Sequence, residues 1–279
     1  MKKTTLSEFQ ESIRKTGGYE TAEDHRAKKR AKISAWTTLR YSWGVARVFP
    51  RCAISEPLGR LTTERWAGYC FSSVTVPEAL GMRVEIEGFM DRIKYGKPVV
   101  YLCNHMSMTE TILLPPILLA MSSFSYVAKA SLAHLPFLEK AAEHMRMVPI
   151  GRKSPREDLM SIIRIGTERI QGGDSFLIFP QGTRMDVFNR AKYSSIGAKL
   201  AERAKVPIVP IVVDTRCQPM RKSGVLKSVL KDFGTVDTSK DIRVCGGPVI
   251  TGEKAKELHE LAFDWMAGKL SSWGLPVVR

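Results

Sequence analysis

Val99-Val100-Tyr101-Leu102-Cys103-Asn104-His105-Met106-Ser107-Met108-Thr109-Glu110 is the stretch whose reading decides the fold. An apolar run of this kind reads as a buried strand, and the polar residues after it read as a turn into a helix. His105 stands just past the strand and Glu110 five residues later. Histidine is the usual general base near neutral pH. A carboxylate on its far ring nitrogen fixes the tautomer and steadies the imidazolium. Within one helix, residues five apart lie about 140° apart and do not meet. The pair therefore requires His105 in the strand-to-helix turn and Glu110 in the first helical turn, with Ser107 or Thr109 as the cap. A buried histidine beside a solvated glutamate is the competing reading of these two residues alone.

Three further blocks follow the same scheme of short apolar strand and polar turn. Met147-Val148-Pro149-Ile150-Gly151-Arg152 ends in glycine and arginine. Ser175-Phe176-Leu177-Ile178-Phe179-Pro180-Gln181-Gly182-Thr183-Arg184 ends in a turn where Gly182 lets backbone N–H groups approach an anion and Arg184 offers a planar fork of donors suited to phosphate. Lys205-Val206-Pro207-Ile208-Val209-Pro210-Ile211-Val212-Val213 is a buried strand with two prolines. Lys129, at the end of a strand expected over 125–128, is a further candidate for an anion.

These blocks, in this order, resemble the glycerolipid acyltransferase family, of the 1-acyl-sn-glycerol-3-phosphate acyltransferase kind. The family's N-H-x4-D is matched by Asn104, His105 and, with a change, Glu110. Its second motif ends in an arginine, matched by Arg152. Its F-P-E-G-T-R is matched by Phe179, Pro180, Gly182, Thr183 and Arg184, with Gln181 in place of the glutamate. Its apolar V-P-I-V-P is matched by 206–210. The resemblance covers roughly residues 80–250 and implies acyl transfer from a CoA or acyl-carrier thioester to the hydroxyl of a lysophosphatidate-like acceptor. His105 and Glu110 would be catalytic. Asn104, Lys129, Arg152, Gln181, Gly182, Thr183 and Arg184 would bind substrate, with backbone N–H groups near Gln181 and Gly182 holding phosphate or the oxyanion. No metal or dissociable cofactor is implied. Glu110 is one methylene longer than the family's Asp, and Gln181 keeps the shape of Glu while losing its charge, which bears on acceptor choice. An acyltransferase for another lysolipid or an aminolipid, or a non-catalytic membrane-binding relative, is the alternative.

Composition agrees. The chain is 44% hydrophobic over 279 residues, which suits one α/β domain with an appendage and excludes wholesale disorder. Its five cysteines lack CxxC or CxxH spacing, so the expectation is a reducing, cytosol-facing setting with neither a disulfide framework nor a zinc site. Cys103 reads as strand core rather than nucleophile. A secretory signal is not expected, since Met1-Lys2-Lys3-Thr4-Thr5 runs into polar sequence rather than an apolar stretch. No nucleotide phosphate loop, dinucleotide fingerprint, serine-hydrolase elbow or zinc-protease motif is present.

A net charge of +15 attracts polyanions. His25-Arg26-Ala27-Lys28-Lys29-Arg30-Ala31-Lys32 is a basic run, and Trp36, Tyr41, Trp43, Arg40 and Arg47 interleave over 35–50 as in an interfacial helix. The expectation is a peripheral protein on the cytoplasmic face of the cell membrane, with residues 1–75 as a basic-aromatic arm and 76–279 as the catalytic domain. Packing of these aromatics on the main domain is the alternative. No nucleic-acid motif accompanies the charge, so nucleic acid is not expected as a partner. The most apolar window, 112–121, is too short to span a bilayer and holds two prolines. A second surface candidate lies over 221–231, where apolar pairs and lysines recur at helical spacing.

Strands are expected over 82–87, 97–103, 125–128, 147–150, 176–179, 206–213 and 242–245. Helices are expected from a Ser154 cap with Pro155 to Gly172, over 192–204 and over 253–270. Strands alternating with helices predict an α/β fold: a mixed, largely parallel sheet flanked by helices.

Overall fold

The computed structural model describes residues 2–129, 139–151, 154–219 and 234–279. Arg152 and the 221–231 segment lie outside the described residues. In chain order the strands are β1 (Tyr19–Glu20), β2 (Val84–Glu87), β3 (Val100–Cys103), β4 (Phe124–Lys129), β5 (Met147–Ile150), β6 (Ser175–Ile178), β7 (Phe188–Asn189), β8 (Ile208–Asp214), β9 (Ile242–Gly246) and β10 (Val277–Val278). The main sheet has the order β1-β2-β9-β8-β3-β6-β4-β5, and β7 pairs with β10 in a small second sheet. Every neighbouring pair in the main sheet is parallel except β1–β2 and β8–β9. The fold is therefore the mixed, mostly parallel α/β sheet expected from the sequence.

β3 lies near the middle and is buried along its whole length, as are β6 and β8. Its side chains alternate between two apolar layers. Tyr101 and Cys103 join Leu113, Phe124 and Ile211 on one face. Val100 and Leu102 join Phe176, Leu200 and Phe263 on the other. Burial on both faces explains why these strands read as continuous apolar runs rather than as alternating ones. Burial also pushes the Cys103 thiol well above its ordinary range, as fits a core residue.

Helix limits follow local signals closely. Ser154 caps the helix Pro155–Gln171 by accepting the Glu157 N–H, and proline occupies the first turn, where its missing donor costs nothing. The helix expected from residue 192 begins only at Ile196, because Asn189 accepts the Ala191 N–H and closes a short 3-10 turn first. The stretch 35–50 is not one helix. It divides at Arg47 into Ala35–Ala46 and Val48–Ser55.

The expected boundary after residue 75 falls inside the helix Ser72–Ala79. Side chains before it belong to the same apolar layer as β3. Phe9 and Trp66 are buried, and the Trp66 ring lies 5.9 Å from that of Tyr126 in β4. β1 pairs antiparallel with β2 and covers what would otherwise be a sheet edge.

Candidate active site

β8, β3 and β6 are adjacent and parallel, so the turns leaving their carboxyl ends emerge side by side. Those turns carry Thr215 to Gln218, His105 to Glu110, and Phe179 to Arg184. The site assembles because of this adjacency.

Glu110 lies in the first turn of the helix Thr109–Leu118 and is wholly buried. Its Oε1 is 2.9 Å from His105 Nδ1 and accepts the backbone N–H groups of Met106 at 2.5 Å and Ser107 at 2.6 Å. Its Oε2 lies 2.7 Å from Ser107 Oγ and 2.8 Å from Thr215 Oγ1. Burial by itself raises a carboxyl's pKa. Here the bond from His105, the attraction of its charge and the bonds from Ser107 outweigh that, and Glu110 sits below its ordinary value. The positive end of its own helix favours the same charged form. An ionised carboxylate only accepts, so the His105 proton resides on Nδ1 and the lone pair of the neutral ring on Nε2. The imidazole, 16% exposed, stacks on Phe179 with ring centroids 4.3 Å apart. This is the turn-and-first-turn geometry that the five-residue spacing requires. The expected cap differs: Met108 holds the N-cap position without a side-chain bond, and Ser107 Oγ, one residue earlier, accepts the Thr109 N–H at 3.0 Å.

Gln181 and Met185 tie the β6 turn to His105. Gln181 Oε1 accepts the His105 N–H at 3.0 Å, and the Met185 N–H donates to His105 O at 2.8 Å. Arg184 is half-buried. Burial lowers its pKa while the Glu110 carboxylate acts in the opposite sense, so the guanidinium lies within electrostatic reach of the pair.

Three expected roles change. Asn104 is not presented to a substrate. It is buried, donates from Nδ2 to Val213 O at 3.0 Å and accepts the Val213 N–H at 2.8 Å. β3 ends at Cys103 while β8 continues, and the Asn104 amide stands in for the missing strand. The Gly182 N–H donates to Phe179 O at 3.0 Å, so in this conformation it closes the turn rather than holding an oxyanion. Glycine is needed there for its positive φ of 65°, and a Cβ would meet nothing within 4 Å. Gln181 is buried and also donates to Val187 O at 3.4 Å, so both ends of its amide face the protein. A Gln181→Glu substitution is therefore expected to lower the melting temperature, because a carboxylate then faces the Val187 carbonyl, and to leave acceptor preference unchanged. A shift in preference across a lysolipid panel would return position 181 to the headgroup.

Thr183 lies in the exposed part of the turn. Lys129 ends β4, in register with Ile150, one strand beyond β6. Thr215, Gln218 and Tyr41 are the residues that sequence reasoning missed. Thr109 Oγ1 donates to Gln218 Oε1 at 2.6 Å and lies 3.0 Å from Tyr41 OH. Thr215 follows the strand expected over 206–213, and its place at a strand's carboxyl end was the available signal. Tyr41 was expected to face lipid. It points inward instead and is fully buried, because the helix Ala35–Ala46 presents that side to the helix carrying Glu110.

Residues 83–214 match the acyltransferase family model. A 1-acyl-sn-glycerol-3-phosphate acyltransferase of Pseudomonas aeruginosa is 31% identical over 181 residues, 65% of this chain and 65% of that one. The chloroplastic 1-acyl-sn-glycerol-3-phosphate acyltransferase BAT2 of Brassica napus is 25% identical over 191 residues, 68% of this chain and 51% of its own length. The chain thus spans less than two thirds of these relatives. The crystal structure of the 1-acyl-sn-glycerophosphate acyltransferase PlsC from Thermotoga maritima superposes with a TM-score of 0.57 at 16% identity, covering 86% of this chain and 95% of that one, which is a likeness of fold. The matched 83–214 stretch holds both the His105–Glu110 pair and the Phe179–Arg184 turn, so the chain's likeness to the acyltransferase family falls on the site itself.

Proposed function

We propose that this protein transfers a fatty acyl group from a thioester of CoA or acyl carrier protein to the hydroxyl of a lysophosphatidate-like acceptor. The observation that carries the reading is the buried Glu110 carboxylate on His105 Nδ1, which leaves Nε2 as the basic nitrogen. Nε2 takes the acceptor's proton as its oxygen attacks the thioester carbonyl carbon. The carbon–sulfur bond then breaks, and the proton passes from the imidazolium to the departing thiolate. Glu110 stabilises the imidazolium between these steps. Arg184, with Arg152 and Lys129, supplies cations for the acceptor's phosphate. Acylation of a panel of lysolipids by purified protein, with acyl-CoA and acyl-carrier donors in parallel, tests the reading. Turnover of lysophosphatidate above the other acceptors is expected, and turnover of none of them sinks it.

The same reading puts the enzyme on a bilayer surface. Among the described residues no helix is long and apolar enough to cross a membrane. The helix Ala35–Ala46 exposes Trp36, Leu39 and Trp43, and Ile33 precedes it. Lys28, Lys29, Lys32 and Arg40 are exposed on or near it, whereas Arg26 and Arg30 are held by Glu23 and Asp241. Each cation near an anionic surface contributes about 1 kcal/mol and is screened by salt, while inserted rings are not. Sedimentation with anionic vesicles is expected to weaken as salt rises without vanishing. A Trp36→Ser/Trp43→Ser variant should lose the salt-resistant part. Full-length protein is the right material, since Phe9 and Tyr41 belong to the core. Binding unchanged by salt and by the double substitution would remove this face as the anchor.

A further inference from the structure

A cavity of about 710 Å³ opens beside the exposed tryptophans, on the side of the helix Ala35–Ala46 away from Tyr41. Its walls include Trp36, Arg40, Trp43 and Arg47 from that helix and its end, and Phe71, Thr75 and Glu78 from around the helix Ser72–Ala79. None of the residues of the β3, β6 and β8 turns lines it. The two helices run antiparallel. Ala31, just before the first, bonds to Leu80, just after the second, and Gly44 lies so close to Val76 that a Cβ would come within 2.7 Å of its Cγ2. The cavity therefore has an Arg47 end and a Glu78 end.

The two ends differ in electrostatic completeness. At the Glu78 end the carboxylate is already met, by Tyr19 OH at 2.6 Å and Thr21 Oγ1 at 2.9 Å. At the Arg47 end, Nε is buried and has no hydrogen-bond partner among the described residues. Burial, and then repulsion from Arg51, push the Arg47 guanidinium below its ordinary value, the mark of a cation lacking a counter-charge. Arg40 and Lys3 also line the cavity. A buried donor without an acceptor costs free energy until an acceptor arrives, and an anion supplies both acceptor and charge.

We propose that this cavity binds one anionic phospholipid, its phosphate at Arg47 and Arg40 and the upper part of its chains against Trp36, Leu39 and Trp43. The volume suits a headgroup with the first carbons of its chains. The exposed indoles lie where those chains leave for the bilayer, and a free phosphate would make no use of them. This inference rests on the reading that the helix face meets a membrane, and it adds a defined, stoichiometric partner to that face. Tyr41, on the opposite side of the same helix, bonds Thr109 beside Glu110, so a seated lipid would fix the catalytic pair's orientation to the surface.

Calorimetric titration of the full-length protein with dihexanoyl phosphatidylglycerol, kept below its micelle-forming concentration, tests the site. One-to-one binding is expected, at least tenfold tighter than for dihexanoyl phosphatidylcholine and absent for inorganic phosphate. Arg47→Gln should weaken it at least tenfold with an unchanged melting temperature, and Arg184→Gln should leave it intact. Arg40→Gln, at an exposed position, serves the same purpose if Arg47→Gln does not fold. Several outcomes overturn the proposal: no binding, equal binding of the two lipids, binding of phosphate alone, or loss in Arg184→Gln instead. Monomeric lipid keeps the result separate from vesicle attachment. An intact lipid site with no vesicle binding would refute only the membrane reading.

Discussion

Replacing His105 with alanine is expected to lower turnover by a factor of about 10² to 10⁴, the range that positioned acid–base groups contribute. The loss should fall on kcat more than on KM, because in the proposed mechanism Nε2 acts on the reacting proton while phosphate binding is assigned to Arg184 and the other candidate cations. The variant should still fold. Glu110 keeps four of its five hydrogen bonds, from Met106 N, Ser107 N, Ser107 Oγ and Thr215 Oγ1, and so remains satisfied without the imidazole. Circular dichroism and steady-state acylation of lysophosphatidate check both halves. Near-normal turnover in a folded His105→Ala protein would show that the proton leaves by another route.

Glu110→Gln is the second large effect, with turnover expected to fall by a factor on the order of 10². The amide oxygen can still accept from His105 Nδ1, so ring orientation survives and the lost quantity is the charge that steadies the imidazolium. The amide nitrogen would then face Ser107 Oγ and Thr215 Oγ1, both of which can turn to accept. Glu110→Asp should retain more activity than Glu110→Gln even though the shorter side chain strains five short contacts. Turnover in Glu110→Gln equal to that of the parent would show that the carboxylate gives no electrostatic support. Stability carries the same signature. A carboxyl held below its ordinary pKa of 4.5 stabilises the fold fully above that value, and the contribution is lost as pH falls through the folded-state value. The melting temperature of Glu110→Gln should therefore lie below the parent's at neutral pH, with the gap closing below pH 4.5.

The sequence by itself determined what short-range physics controls. The Ser154 cap and the following proline set the start of Pro155–Gln171, and the apolar run 147–150 is β5 residue for residue. The five-residue spacing of His105 and Glu110 admits one local geometry, and that is the geometry found. All of these depend on residues within a few positions of one another.

Strand order was decided only by the tertiary structure. Nothing near residue 105 says that β3 lies between β8 and β6, yet that adjacency carries Thr215 to the far oxygen of Glu110 and Gln181 to the His105 amide. It also reassigns Asn104, whose amide completes the end of β8 because β3 stops one residue too soon to do so. Tyr41 is the same lesson on a helix. Its aromatic neighbours Trp36 and Trp43 do face outward, but which side of an amphipathic helix meets the protein depends on a partner helix more than 60 residues away in the chain. Backbone groups left unpaired at a strand end, and apolar faces left uncovered, are satisfied by whatever the fold brings to them. Chain-local patterning reveals the need, and only the assembled sheet reveals the partner.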